Sequence, residues 1–98
     1  MTLDDLLYDI HVLEDEFRSY ERKYGMLSEI FYIAYTQGEE PDDDTWVRDW
    51  TAWAGIYKLW LRRREQYKFT IERLRSPTQT ISEMIKLTAR HEPIPVPA

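Results

Sequence analysis

A chain of 98 residues with net charge −5 and 43% hydrophobic side chains has the size of one small domain, able to bury about 60–65% of the surface its unfolded form exposes. The absence of cysteine excludes a disulfide framework and thiolate zinc sites. The N-terminus MTLDDLLYDI has neither the basic start nor the long apolar run of a signal peptide or membrane span, so the expectation is a soluble cytoplasmic protein.

Aromatic residues make up 14% and charged residues 32%, with three glycines and no sustained alternation of polarity, a profile that predicts an all-α fold. The charge is uneven. Residues 1–50 hold fourteen acids and four bases, whereas residues 51–98 hold nine bases and four acids, an asymmetry that calls for pairing within the fold or with a partner.

Thr2 and Asp5 predict a capping box, with aspartate in place of the usual glutamate. Leu3, Leu6, Ile10, Leu13, Phe17, Tyr20 and Tyr24 then alternate spacings of three and four, a heptad seam. Gly25 closes this first helix, predicted over residues 3–24 and about 33 Å long. Ser28 is the expected N-cap of a short second helix with Ile30, Phe31, Ala34 and Tyr35 on its apolar side, ended by Gly38.

EEPDDD then forms a solvated turn. From Thr45 a longer seam runs through Trp46, Trp50, Trp53, Tyr57, Trp60, Arg64, Tyr67, Ile71 and Leu74, with Arg64 as its one polar member. Asp42, Asp43 and Asp44 precede the first turn, where carboxylates accept backbone N–H bonds and complement the helix dipole. Ser76 and Pro77 break the pattern. Thr80 and Glu83 predict another capping box and a short helix over residues 81–90, and HEPIPVPA predicts an extended, mobile tail.

The division expected is a helical hairpin over residues 1–75 and a C-terminal segment over residues 76–98. The two long helices lie antiparallel in coiled-coil fashion, with Asp4, Asp5 and Asp9 beside Arg73 and Arg75, and Arg18, Arg22 and Lys23 near the three aspartates. A hairpin of this kind leaves aromatic surface open, so two copies are expected to form a four-helix bundle.

Each candidate site has a plainer role beside it. Counted as an EF-hand loop from Asp42, positions six and twelve hold Val47 and Trp53 instead of glycine and glutamate, so the aspartates are assigned to capping and not to metal. His11 and Glu14 invert the di-iron Glu-x-x-His order, and no second copy completes it. No nucleophile triad, phosphate loop or nucleophile elbow is present. The chain is therefore read as non-enzymatic, with no cofactor.

The heptad spacing assigns Trp46, Trp50, Trp53, Tyr57, Trp60 and Arg64 to a core or dimer interface rather than a base-stacking platform, with Arg64 able to set register. Arg62, Arg63, Lys68, Arg73 and Arg75 are the candidate nucleic-acid contacts, opposed by the negative total charge.

The stretch YGMLSEIFYIAYTQGEEPDDDTWVRDWTAWAGIYKLWLRR, about forty residues, resembles small prokaryotic helical proteins that read approximately YGMSSEEFYxxYxxGExxDDxDxxxWAGxYxxxxxR and are often predicted as antitoxins of toxin–antitoxin pairs. The likeness rests on Tyr24, Gly25, Met26, Ser28, Glu29, Phe31, Tyr32, Tyr35, Gly38, Glu39, Asp42, Asp43, Trp53, Ala54, Gly55 and Tyr57. Leu27 and Ile30 depart from it where polar residues are usual, as do Trp46, Trp50 and the longer C-terminal part; the added apolar residues also suit a homodimer.

The resemblance implies a helical dimer whose C-terminal segment orders on a toxin, with Ile81, Met84, Ile85, Leu87, Ile94 and Val96 as anchors. Coupled folding of a mobile end suits that role physically. Two other functions stay open: a small nucleic-acid-binding regulator and a structural subunit of a larger complex.

Overall fold

The computed structural model describes residues 1–97 and is all-helical. It contains α1 (Leu3–Tyr24), α2 (Ser28–Thr36), a 3-10 turn (Asp44–Trp46), α3 (Val47–Leu74) and α4 (Ile81–Thr88). The extents are 52 × 24 × 22 Å, the shape of a long hairpin of α1 against α3.

Caps account for the element boundaries. Thr2 and Asp5 make both bonds of the capping box, at 2.9 and 3.3 Å, and Gly25, left-handed at φ 69°, returns its N–H to Glu21. Gly38, at φ 94°, closes α2 in a Schellman arrangement, with Glu39 N–H on Ala34 and Gly38 N–H on Tyr35. Both are left-handed positions that glycine fills without a Cβ penalty. The acids preceding α3 behave as a helix start: Asp43 accepts from Thr45 N–H and hydroxyl at 2.8 and 2.7 Å. The α-helix itself begins two residues later than expected, because residues Asp44–Trp46 take the tighter 3-10 turn. Thr80 caps α4 by accepting from Glu83 N–H.

The α1 seam lies as its spacing predicts, with Leu3, Leu6, Leu13 and Phe17 buried and Ile10, Tyr20 and Tyr24 half-buried. On α3 the centre of the seam is buried at Trp53 and Tyr57, joined by Ala54 and Thr70, which lie off the stripe. Trp50 and Trp60 are half-buried, while Trp46 is 38% exposed. Arg64 is also exposed and projects out of the seam.

Trp53 is the centre of the packing, at 1% exposure. Phe31 of α2 stacks on its ring at 3.8 Å, and Tyr20 and Tyr24 of α1 stand at 6.0 and 5.7 Å. Its indole N–H donates to the Ser28 hydroxyl at 2.8 Å. Ser28 is therefore a buried core residue rather than the N-cap expected. Leu27 holds the cap position, and Glu21 takes over the capping role by accepting from Ser28 N–H at 2.7 Å. Phe17 adds edge contacts to Tyr57 and Trp60, the geometry favoured by ring quadrupoles.

Charge pairs the helices in a different register from the one expected. Lys23 meets Asp49 at 2.6 Å and Asp9 meets Arg63 at 3.7 Å. This alignment, with 28 residues in α3 against 22 in α1, carries Arg73 and Arg75 past the start of α1, so neither reaches Asp4, Asp5 or Asp9.

Two measurements check this packing. Ser28→Ala strands the buried Trp53 N–H and should cost about 1–3 kcal/mol in urea unfolding, but much less in a Trp53→Phe background, where no donor is left to strand. The second concerns Asp49, whose carboxyl is held below the ordinary carboxylate value by hydrogen bonds first from Lys23 and then from Tyr24. A depressed folded-state value contributes stability above the unfolded value of about 3.9 and loses it as pH falls through the folded one. The urea midpoint of Asp49→Asn should accordingly fall less steeply than that of the parent chain below about pH 4.

Candidate interaction surfaces

Apolar side chains exposed at several places along the chain gather most on two regions. The first is built by α2. Burying Ser28 and Phe31 against Trp53 fixes the rotation of this nine-residue helix, and that rotation turns Leu27, Ile30 and Ile33 outward at intervals of three. Each keeps more than half of its surface exposed. Ile30, expected on the apolar inner side, thus belongs to the outer stripe.

Beside this ridge lies a groove of about 690 Å³, walled by Glu29, Tyr32 and Ile33 of α2 and by Tyr57, Trp60, Leu61 and Arg64 of α3. Its floor is aromatic. The Trp60 indole N–H is buried with no hydrogen-bond partner among the described residues, an arrangement that costs about 1–3 kcal/mol. The Arg64 guanidinium stands 5.5 Å from the Trp60 ring centroid. Burial, and then the nearby Glu29 charge, push the Tyr57 hydroxyl above its ordinary pKa.

The second region is the C-terminal segment. No Cα of α4 comes within 8 Å of another helix. Of the expected anchors, Met84 is buried at 3% exposure, Leu87, Ile94 and Val96 are half-buried, and Ile81 and Ile85 face solvent. The tail is extended, and its backbone is engaged. Leu3 N–H donates to Ile94 O at 2.8 Å, Val96 N–H donates to Met1 O at 3.1 Å, and Thr2 and Pro95 form an antiparallel bridge. His91, in the left-handed region at φ 56°, sets its ring 3.1 Å from the Asp4 carboxylate. The first turn of α1 leaves the Leu3 N–H without a partner inside the helix, and the tail supplies one.

The tryptophan seam faces α1 and α2 within the chain: Tyr24 lies edge-on to Trp46, and Phe31 edge-on to Trp50. The basic residues are dispersed. At about 100° per residue, Arg62 and Arg73 share a side of α3, with Arg63 and Lys68 turned away to either hand. Arg63 is held by Asp9 and Gln66, Lys68 by Glu65, and Arg75 by the Gln79 carbonyl; Arg73 lies over the Phe69 ring. Among the described residues no three His, Asp or Glu side chains converge on one point, and His11 is a solvent-facing residue of α1.

Comparison with protein-family models, with curated proteins and with solved structures finds no match to this chain. The outward stripe of α2 and the engaged tail both escape sequence reasoning. Leu27, Ile30 and Ile33 carry the spacing signal, but only the Trp53–Ser28 bond decides which side they occupy. Beside the His91–Asp4 contact, the tail is held through backbone groups, which leave no side-chain signature.

Removal of residues 92–98 should raise the hydrogen-exchange rate of the Leu3 amide by about tenfold or more, the scale of losing one protecting backbone bond, and leave the Trp53 indole protected. Unchanged Leu3 exchange would mean that the tail is not its partner in solution.

Proposed function

We propose that this chain is a non-catalytic protein–protein interaction module, and that its specific role is that of an antitoxin engaging a cognate toxin through residues 76–98. The observation that carries this reading is the two-sided character of α4. One turn, at Met84, is anchored inside, while Ile81 and Ile85, four residues apart on one face, stand more than half exposed.

An apolar pair of this kind is the start of a helix-in-groove contact. The weak backing of α4 by the other helices suits a segment that rearranges onto a partner, since low-stability elements supply most of the regions that move on binding. Releasing the tail also frees Leu87, Ile94 and Val96, which enlarges the apolar surface offered. A nucleic-acid-binding role has less support, because most of the basic residues are spent on partners within the chain and lie on different sides of α3. The four-helix bundle of two chains would have to form away from Trp50 and Trp53, which α1 and α2 already cover.

The test uses the product of the adjacent open reading frame. The full chain should bind it and suppress its toxicity, whereas Ile81→Asp with Ile85→Asp should weaken binding about tenfold or more with unchanged helical circular dichroism. Equal binding by the double variant, or no binding by the parent chain, would overturn the assignment.

A further inference from the structure

We infer that the face formed by α2 and the adjoining groove is a twofold interface at which a second copy of this chain docks, with each α2 lying in the other's groove. The inference goes beyond the role given to the C-terminal segment and rests on different residues.

The argument is one of self-complementarity. An isologous interface uses the same patch on both subunits, so the patch must fit itself after a half-turn. This one has the required form. It holds a ridge, Leu27, Ile30 and Ile33, directly beside a concavity of about 690 Å³ floored by Tyr57 and Trp60. The ridge of one copy therefore meets the hollow of the other, and the hollow is returned to the ridge.

Charge follows the same rule. Glu29 stands on the α2 wall and Arg64 on the α3 wall of the groove, and among the described residues neither makes an ion pair within the chain. A half-turn brings Glu29 of each copy to Arg64 of the other, giving two symmetric pairs. Stacking of Arg64 over Trp60 holds the guanidinium at the groove edge, where its fork can accept a carboxylate.

Sedimentation velocity on the full chain, from about 1 to about 100 µM, a span of micromolar dissociation constants, reads the result directly. The parent chain should sediment as a dimer at the upper end. Ile30→Asp, a change at an exposed position, should give a monomer with unaltered circular dichroism. Glu29→Arg and Arg64→Glu should each weaken the dimer roughly tenfold or more by facing like charges, and the two together should restore it. Ile81→Asp should leave it intact, separating this interface from the C-terminal one. A parent chain monomeric throughout, a dimer that persists in Ile30→Asp, or a charge-swapped double variant that fails to recover would each overturn the inference.

Discussion

The hydrogen bond from the Trp53 indole to the Ser28 hydroxyl, closed over by the Phe31 ring, decides the character of this molecule. A long hairpin of α1 and α3 needs only two apolar seams. Adding a third helix across it requires something that fixes how the addition is rotated, and one buried polar pair does so. An indole N–H without an acceptor in the interior is costly, whereas stacking alone tolerates sliding. Because Ser28 must face Trp53, Ile30 cannot. The apolar character of α2 is split between an inner and an outer side, and the outer side becomes available for association.

The opposite pole is organised by length. The Lys23–Asp49 and Asp9–Arg63 pairs set the hairpin register, and the longer α3 then runs beyond the first turn of α1. That turn keeps its own capping box, and its seam residues Leu3 and Leu6 are buried, with the returning tail bonded to the Leu3 N–H. One pole is thus aromatic, tightly interleaved and closed by neighbours in sequence. The other is aliphatic and closed by the far end of the chain.

Much of this was legible in the residues themselves. The three-four spacing located both long helices, and the glycines at 25 and 38 marked two ends, because a left-handed closing residue has few alternatives to glycine. The aspartates before α3 read as caps, and Asp43 does cap the turn at Thr45. What could not be read were relations between elements. The displacement of Arg73 and Arg75 from the α1 acids depends on the relative lengths and register of two helices. The burial of Thr70 is off the heptad stripe altogether; its hydroxyl is satisfied by the Gln66 carbonyl one turn back, which lets a polar side chain pass as an apolar one. Arg64 sits on the seam by count yet is exposed, with its guanidinium 5.5 Å from the Trp60 ring centroid.

The pairing of the two chain ends has a consequence for how the molecule assembles. Trp53 finds Ser28 across 25 residues, whereas His91 finds Asp4 across 87, and the logarithmic cost of closing the larger loop exceeds that of the smaller by about 1 kcal/mol. The aromatic pole can therefore knit from local encounters while the aliphatic pole waits for the whole polypeptide to come round. Heat or denaturant should run the sequence backwards, loosening the seal between the ends while the indole-centred pole still holds.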